Sequence, residues 1–552
     1  MISRRWRSGR ATSSTTCSAP AGHRPSAHNH KQTGGRMNRL MLLAAAATLA
    51  AVPAVAAEAP QRGGTITTVL SADIRSTNPG VDRDGATDIV HQHIVEGLVG
   101  FREDLEVGPM LADRWDVSPD GRTYTFHLRQ GVKFQNGATM TSAEVKWSWD
   151  RLMDPATKWR CRDVYTGDNG LKVESVTAPD PDTVVYALNR ADAGFLYNLA
   201  RMDCGGTPVL HPSSVKPDGS WDKPVGTGPF ILSDWRPGQY IELTRFDGYT
   251  PRDDAMSGYV GRKEVYVDKV RFAIMPDAAA KLTALQAGAL DTAPLESQDR
   301  IQLQGNPNLT VESAVTPGWE ALILHSEDPV LQDKRVRQAI VMALDRAAIA
   351  EAVTFGGSKF SATPVPAFSP YHSQAQTDAL PYDPERAKAL LAEAGYKGQR
   401  IVMTANKRYA EMYDCAVLMQ DMLRGVGLNV DLEVLEWTAQ LDAYTTGKFQ
   451  TQSFSYSPRL DPLGQWERII GPQPRKIWKD PRAIDLLAQA NATTDRAQMQ
   501  SVLDQIGRLF TEEAPAASLY LHASDYAVAR RVQGFKVWPA DAPRYWNVWL
   551  AK

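Results

Sequence analysis

Polar and apolar residues alternate along residues 123–128, Thr-Tyr-Thr-Phe-His-Leu. A period of two is typical of a strand with one buried face, and Pro-Asp-Gly at 119–121 predicts the turn that leads into it. Further on, Thr-Ser-Ala-Glu at 141–144 has the form of a capping box, and Val145 and Trp149 follow it at helical spacing. This stretch is therefore predicted to be a ladder of strands that ends in a helix.

The remainder of the first half contains short apolar runs between turn residues, and such runs predict further strands. Asn-Gly at 136–137 ends one run, and Pro-Asp-Pro-Asp at 179–182 separates two others. The predicted strands of this half are 65–70, 115–118, 132–134, two within 173–188, one around 241–243, and 265–274. The first half is therefore expected to be rich in β-structure.

The second half alternates predicted strands with predicted helices. Asp333 has the character of an N-cap for a single helix that ends at Gly356-Gly357. The apolar residues of this helix recur at helical spacing, and they are Val336, Ile340, Leu344 and Ile349. Asp383-Pro384 begins another helix. Strands are predicted at 319–324, 401–404 and 430–434, with a helix at 414–424. Such alternation predicts an α/β domain.

Length and composition indicate a multidomain globular protein. The chain has 552 residues, more than one core usually organises. Its hydrophobic fraction of 43% and charged fraction of 22% are ordinary for a folded protein. Residues 1–57 contain eight of the 61 Lys and Arg and none of the 63 Asp and Glu, so the remainder has 53 basic and 63 acidic residues, a net charge of −10. This charge argues against nucleic acid or an anionic membrane as partner.

The start of the chain has the pattern of a secretory leader. From Met37, Arg39 supplies positive charge, residues 40–51 are apolar, and Ala-Val-Ala-Ala at 54–57 is a small-residue cleavage site. The apolar centre is too short for a stable membrane span. Residues 1–57 are therefore predicted to be an N-terminal extension and a signal peptide that is removed. We expect Sec-type export to the periplasm.

Three cysteines follow the leader, at Cys161, Cys204 and Cys415. In an oxidising compartment we predict a disulfide between Cys161 and Cys204. Three buried thiols are the alternative. No two of these cysteines have the spacing of metal ligands.

Known catalytic and cofactor motifs are absent from the sequence: it has no P-loop, no dinucleotide-binding glycine motif, no G-x-S-x-G, no H-E-x-x-H and no C-x-x-C. Ser-Ser-Val-Lys at 213–216 has S-x-x-K spacing, but it lies between Pro212 and Pro217 and lacks companion motifs. His91 and His93 would diverge on a helix, which favours a packing or surface role over nickel binding. We predict no enzyme activity and no cofactor.

A series of motifs in one order resembles the extracellular solute-binding proteins of family 5, the peptide-, nickel- and opine-binding proteins of ABC importers. The matching segments are Glu96-Gly97-Leu98, Pro109 to Trp115, Ser118 to Arg129, Gly131 to Gly137, Thr141 to Val145, Val225 to Phe230 and Arg335 to Ala339. The resemblance extends from about Gly64 nearly to the C-terminus.

The resemblance implies a two-lobed α/β periplasmic binding protein of the cluster C type, with an extra β-rich subdomain in the first lobe. The implied divisions are domain Ia at 58–90, 212–275 and 520–552, domain Ib at 91–211, and domain II at 276–519. It also implies a monomer that closes over a small solute by hinge motion and delivers it to the permease subunits of an ABC transporter in the inner membrane.

Three segments of the sequence match positions that line the ligand site in the family: 74–78, 406–409 and 454–462. The residues that this match predicts to contact the ligand are Arg75, Ser76, Asn78, Lys407, Arg408, Tyr409, Tyr456, Ser457 and Arg459. Trp319 and Trp437 are candidate stacking walls, with core packing as the alternative for each.

The third segment departs from the pattern of peptide-binding relatives. Those proteins hold the ligand's ammonium group with an Asp three residues before an Asp-Pro pair, but here Pro458 has that place and Arg459 follows. Burying an ammonium without its counter-charge costs roughly 3–5 kcal/mol. Asp461 is interpreted as a helix N-cap. We therefore predict a ligand other than a simple free-amine peptide. With Lys407 and Arg408 nearby, an anionic opine- or sugar-acid-like compound is favoured, and a solvated cationic rim is the alternative.

Other functions stay open on the sequence. Within the binding class they are dipeptide or oligopeptide binding and nickel or metallophore binding. A periplasmic hydrolase on the same fold is disfavoured because no nucleophile–base pair is evident. A sensory or chaperone role for the same closing fold is a further alternative.

Overall fold

The computed structural model of the protein describes residues 59–551, except for Asn169, Gln304 and Asp541. The predicted leader lies outside the described residues. Among the helices in the described part of the chain, none is both long enough and apolar enough to cross a bilayer.

The strands of the described residues belong to three larger sheets and two small ones. They are β1 (Thr65–Leu70), β2 (Val99–Phe101), β3 (Val107–Pro109), β4 (Ala112–Val117), β5 (Thr123–Leu128), β6 (Val173–Asp180), β7 (Thr183–Leu188), β8 (Phe230–Arg236), β9 (Tyr240–Arg245), β10 (Lys269–Ile274), β11 (Thr292–Leu295), β12 (Leu309–Leu324), β13 (Arg400–Ala405), β14 (Asn429–Val434), β15 (Thr451–Tyr456), β16 (Ala516–Ala529), β17 (Val532–Gln533) and β18 (Trp549–Leu550).

The helices are concentrated in the second half. They are α1 (Gly85–His91), α2 (Ser142–Met153), α3 (Phe195–Ala200), α4 (Ala278–Gln286), α5 (Asp299–Gln302), α6 (Lys334–Ala343), α7 (Arg346–Val353), α8 (Gln374–Thr377), α9 (Pro384–Glu393), α10 (Ala410–Gly425), α11 (Trp437–Thr446), α12 (Gly464–Ile469), α13 (Pro481–Ala492) and α14 (Arg496–Glu513). Short 3-10 helices lie at Pro155–Thr157, Arg162–Val164, Met202–Cys204 and Pro212–Ser214.

Three sheets organise these elements. Sheet A has the order β1-β10-β9-β8, with β1 parallel to β10 and the other pairs antiparallel. Sheet B is antiparallel, in the order β4-β5-β7-β6. Sheet C is mixed, in the order β11-β16-β12-β15-β13-β14. This mixed α/β architecture agrees with the predicted fold class, whereas the predicted domain boundaries stay a prediction.

Each sheet covers its own apolar core. Sheet B buries Phe126 and Tyr186 together with Trp149 of α2, and sheet A buries Ile241 and Phe272. Sheet C is covered on both faces: α6, α7, α9 and α10 pack on one face, and α12, α13 and α14 pack on the other. Strands buried on both faces read as continuous apolar runs, as residues 321–324 do.

Several local predictions are confirmed. The strand β1 has the predicted bounds, and β5 buries its alternate residues as the period of two requires. The capping box of α2 is present. The Thr141 side chain accepts a hydrogen bond from a backbone N–H of the first turn, and the Glu144 side chain accepts one from the Thr141 backbone N–H. In each of these places the residues that carry the sequence pattern lie within a few positions of the strand or helix that they specify.

Other local predictions are wrong. Residues 132–134 form no strand, and Lys133 makes only an isolated bridge to Thr139. The single helix predicted from Asp333 is two helices, α6 and α7. Leu344 has an extended ψ of 120°, and Asp345 begins the second helix by accepting a hydrogen bond from the Ala348 backbone N–H. The helical spacing of apolar residues continued across this break because both helices pack on the same face of sheet C.

Two long strands, β12 and β16, connect the centre of sheet C with β11 at its edge. Their pairing runs from Leu309–Ala529 to Val315–Ala523, and it resumes at Trp319–Leu521 after a register shift. Residues 316–318 therefore form an irregular segment between two well-paired ladders. Such irregularities re-aim neighbouring side chains, and the features described below lie around this one.

A disulfide joins Cys161 and Cys204, with Cα atoms 5.6 Å apart. It ties the segment after α2 to the 3-10 helix Met202–Cys204 within the core of sheet B. Cys415 is a buried thiol on α10, and burial raises its pKa well above the ordinary value.

Candidate binding site

A narrow cleft lies between the sheet B region and the second half of the chain. Leu105, in the turn between β2 and β3, and Tyr197, on α3, line one side. Pro317, residues of the 364–371 loop and residues of the 459–465 segment line the other. Elements remote in sequence thus meet at one opening, as ligand-binding clefts between two halves of a protein do.

Arg459 is a basic residue of this cleft. It follows β15, and its Nη1 donates a hydrogen bond of 2.7 Å to the carbonyl oxygen of Pro458. None of the ion pairs found among the described residues includes Arg459. The guanidinium therefore lines the cleft with donors available to an anionic group.

Asp461 lines the same cleft, but it is not the helix N-cap that was predicted. Its Oδ1 accepts a hydrogen bond of 3.1 Å from the Leu463 backbone N–H, and α12 begins only after Leu463. The Asp461–Pro462 pair lies in the turn that precedes α12. The observed N-cap of this helix is Leu463, so the predicted cap was two residues too early. Burial raises the pKa of the Asp461 carboxyl, and Arg201 opposes that rise.

Contacts across the cleft hold its two sides together. The Ala193 backbone N–H donates to the Asn491 carbonyl oxygen at 3.2 Å, and Arg496 of α14 lies 3.6 Å from the Glu106 carboxylate. The guanidinium of Arg496 also lies 5.7 Å from the centre of the Tyr371 ring. Burial raises the pKa of the Glu106 carboxyl. The described arrangement is therefore one in which the two sides are in contact.

The first predicted segment is held by local interactions. Arg75, with its side chain 57% exposed, pairs with Asp82 at 2.7 Å. Ser76 Oγ accepts a hydrogen bond from the Asn78 backbone N–H, and the buried Asn78 accepts one from Arg151. These residues are not among those that line the cleft.

Trp319 and Tyr456 lie beneath the cleft. Both are buried, their rings stack with centroids 4.9 Å apart, and Trp319 Nε1 donates to Gln465 Oε1 at 3.1 Å. The structure does not bring Trp319 to the cleft surface, because helices pack over this face of sheet C. Ser457 is exposed, and its carbonyl oxygen accepts a hydrogen bond from Gln465.

The remaining predicted residues form a separate group at the end of β13. Lys407, Arg408 and Tyr409 are exposed. Tyr409 packs edge-on against Trp437 with ring centroids 5.0 Å apart, and Lys407 Nζ lies 4.9 Å from the centre of the Tyr413 ring. The cations and aromatic rings make an exposed surface beside the cleft-lining segment, without being part of its lining.

A polar group that was not predicted from the sequence lies around the register shift of sheet C. Glu320 of β12 is fully buried, and it lies near Ser455 of β15 and His522 of β16. A charged residue within the apolar run 319–324 was the available signal. Ser455 Oγ and Glu320 Oε2 both approach the same nitrogen of His522, Nε2, at 3.1 Å and 3.6 Å. A catalytic triad needs its nucleophile and its orienting acid on different ring nitrogens of the histidine, so this is not one.

Among the described residues, one cluster of side chains is close enough together to hold a metal ion: Cys161, Asp203 and Cys204. The two sulfur atoms of this cluster are bonded to each other in the disulfide. His91 and His93 are both buried, in agreement with the packing role that was favoured. His93 is surrounded by Phe230, Phe272 and Tyr545.

The chain is similar both to a protein-family model and to individual known proteins. The model of the bacterial extracellular solute-binding proteins, family 5 (middle region), matches residues 106–469. The chain is 26% identical over 525 residues to the oligopeptide-binding protein AppA of Bacillus subtilis (strain 168), covering 89% of this chain and 93% of AppA.

Two solved structures are also similar. The binding protein AgaA of A. tumefaciens R10, in complex with agropinic acid, has 25% identity and a TM-score of 0.66, over 89% of this chain and 99% of AgaA. The substrate-binding protein CtaP of Listeria monocytogenes has 20% identity and a TM-score of 0.77, over 89% of this chain and all of CtaP. The second likeness concerns the fold alone.

Proposed function

The chain belongs to the bacterial extracellular solute-binding proteins of family 5, the non-enzymatic binding components of ABC transporters, and we propose that its solute is an anionic small molecule rather than a simple free-amine peptide. An opine-like or sugar-acid-like compound fits this description. The solute is bound in the cleft at Arg459, it stabilises the closed arrangement, and it is passed to permease subunits in the inner membrane.

The observation that carries this proposal is the place of Arg459. The side chain lines the cleft without a carboxylate partner among the described residues, and the residue before it is Pro458 rather than an acid. A guanidinium in a partly enclosed cleft gains most from a carboxylate, which it binds with two parallel hydrogen bonds. AgaA, whose structure contains agropinic acid, is consistent with such a ligand.

A peptide ligand is the second candidate, and Asp461 is the observation in its favour. This carboxyl lines the same cleft as Arg459, so the lining offers one acidic and one basic side chain. AppA is an oligopeptide-binding protein by name. Arg201 weakens this candidate, because it lies close enough to oppose the rise in the pKa of Asp461 and so already provides that carboxyl with a cation.

The proposal is tested by thermal unfolding in the presence of opines, sugar acids, free dipeptides and metal chelates. A ligand at a hundred times its Kd adds about 2.7 kcal/mol to the free energy of unfolding, a clear shift in Tm. We expect acidic non-peptides to produce the shift. Arg459→Ala should then weaken their affinity roughly 10- to 100-fold, because a charge-assisted hydrogen bond contributes about 1.5–3 kcal/mol.

Arg508→Ala is the matched control, since Arg508 is exposed on α14 and lies outside both the cleft lining and the predicted ligand-contacting residues. It should leave affinity within about twofold. Free dipeptides that shift Tm more than any acid would favour the peptide candidate. An acid that binds Arg459→Ala as tightly as the wild type would show that Arg459 is a solvated rim residue.

A further inference from the structure

Glu320 is a buried carboxylate without a hydrogen-bond donor. Its exposed fraction is 0%, and neither Oε1 nor Oε2 accepts a hydrogen bond from any described residue. The nearest basic side chain is His522, whose Nε2 lies 3.6 Å from Glu320 Oε2, beyond ordinary hydrogen-bond length. Ser455 and His522 lie close enough to lower the pKa of this carboxyl, but neither reaches it with ordinary hydrogen-bond geometry, so both oxygens can accept from a further donor.

The donors nearest to Glu320 are those of Ser455 and His522, and these two side chains hydrogen-bond to each other. Ser455 Oγ and His522 Nε2 are 3.1 Å apart and share one hydrogen, which leaves oxygen lone pairs of Ser455 and both oxygens of Glu320 free. Glu411, at the start of α10, adds negative charge from the side, and its Oε1 is held by Ser297 at 3.2 Å.

The group lies at the irregular segment between the two ladders of β12 and β16. Gly318 is there, and a Cβ added to it would lie 2.8 Å from His522 Nδ1 and 3.1 Å from Pro458 Cδ. Glycine thus lets His522 sit directly beside Pro458, whose neighbour Arg459 lines the cleft. His522 retains 22% of its side-chain exposure and Ser455 is half-buried, so these two residues separate Glu320 from solvent.

We propose that Glu320 and Ser455 bind an ammonium group of the solute, with His522 as the movable cover of this subsite. The inference rests on the proposed function, because it assigns a second group of the same molecule. An ammonium carries only donors, and it matches a set of two carboxylate oxygens and one hydroxyl. The solute is then an amino acid derivative with a carboxylate near Arg459 and a primary or secondary ammonium at Glu320.

A metal ion fits this subsite less well than an ammonium. Among the described residues, no third His, Cys, Asp or Glu ligand atom joins Glu320 and His522 at the distances that a metal requires. Burial raises the pKa of the Glu320 carboxyl, as expected for a carboxyl that lacks its cation. An arriving ammonium would favour the ionised form.

The test uses N-(carboxyalkyl) amino acids as probes, each with its N-acetyl counterpart, which keeps the carboxylates and removes the positive charge. Kd is measured by calorimetry on the wild type, Glu320→Gln and Glu312→Gln. Glu312 is on the same strand but pairs at the surface with Lys536 at 3.3 Å, so it is the matched control. We expect Glu320→Gln to weaken binding of the amine about 100-fold or more, Ser455→Ala to weaken it several-fold, and Glu312→Gln to leave it unchanged.

N-acetylation should weaken binding to the wild type by a similar factor to Glu320→Gln. The thermal midpoint of ligand-free Glu320→Gln should equal or exceed that of the wild type, because the substitution removes a buried charge that lacks a donor. A lower midpoint with unchanged affinity would make Glu320 a structural partner of His522 and overturn the inference.

The outcomes separate this inference from the proposed function. If amine-free acids bind both the wild type and Glu320→Gln and the amines bind no better, the anionic solute stands and the ammonium subsite fails. If amines bind through Glu320 while Arg459→Ala has no effect, the subsite stands and the role of Arg459 fails. A panel in which no amine raises Tm at about 10 mM overturns the ammonium subsite.

Discussion

Glu96, the first residue of the Glu-Gly-Leu motif, has a structural role. Its Oε1 lies 2.8 Å from Lys263 Nζ, and both side chains are at most 2% exposed. Thr227 and Tyr249 donate further hydrogen bonds to the same carboxylate. Gly97 follows because a Cβ there would lie 1.9 Å from the Gly206 carbonyl oxygen. A motif that identifies the family therefore reports packing rather than ligand binding.

His93 makes the stability of the protein dependent on pH. Its Nδ1 bonds to the Ile89 carbonyl, and its Nε2 accepts from the Tyr545 backbone N–H, an arrangement for the neutral ring. Burial lowers the pKa of His93 to about 3, whereas an unfolded histidine has a pKa of about 6.5. Between these values the unfolded chain binds the extra proton, so the free energy of unfolding falls as pH falls.

We therefore predict that His93→Gln reduces this dependence. Between pH 6 and 4 the slope of the free energy of unfolding against pH should decrease by up to about 1.4 kcal/mol per unit, measured by urea unfolding at each pH. Phe272→Leu is the control, because it weakens packing around His93 without removing a titrating group. It should lower stability by a similar amount at every pH. Equal slopes for the wild type and His93→Gln would contradict the prediction.

At the scale of elements, α2 shows how local signals determine a helix. Glu144 Oε2 accepts from the Thr141 backbone N–H at 2.8 Å, and Thr141 Oγ1 accepts from the Ala143 backbone N–H at 3.3 Å. Val145, Trp149 and Leu152 then face the core of sheet B. Because the cap and the apolar stripe agree, the start of this helix was predicted to the residue.

Removing the cap should destabilise the protein by a small and measurable amount. We predict that Thr141→Ala lowers the free energy of unfolding by about 1 kcal/mol, since it leaves backbone N–H groups of the first turn without an acceptor. Denaturant unfolding measures the change. Thr438→Ala, at an exposed position of α11, should change it by less than about 0.5 kcal/mol. A similar loss for both variants would mean that the cap contributes nothing specific.

At the scale of the whole molecule, covalent and non-covalent links connect distant segments. The disulfide closes a sequence separation of 43 residues, and the contacts of Ala193 with Asn491 and of Glu106 with Arg496 cross the cleft. The cross-cleft contacts are few and partly exposed, so they are suited to forming and breaking. A solute that contacts both sides shifts the population towards the closed arrangement.

The disulfide should stabilise the protein mainly by restricting the unfolded chain. For a loop of this length the chain-entropy model gives about 4 kcal/mol. We predict that Cys161→Ala with Cys204→Ala lowers the free energy of unfolding by roughly that amount, measured by denaturant unfolding under oxidising conditions. The same double variant should be insensitive to reductant, whereas the wild type should lose stability when it is reduced. A wild type indifferent to reductant would contradict the prediction.

Local sequence signals determined much of the fold by themselves. The period of two in β5, the cap of α2 and the Asp-Pro start of α9 each depend on interactions within a few residues, so they are legible without tertiary information. The ordered motifs from Glu96 to Val145 indicated the family, and they cover β2 to β5 and the start of α2. The class of protein followed from the same residues.

Only the tertiary structure decided where the polar groups meet. Arg459 and Asp461 face one cleft with Tyr197, which is more than 250 residues away in sequence, and Glu320 meets Ser455 and His522 because β15, β12 and β16 are neighbours in sheet C. Trp319 was predicted as a candidate wall of the site, but it lies in the core because helices cover its face of the sheet. Strand order and the side of a sheet that helices cover depend on the whole chain, and no local period encodes them.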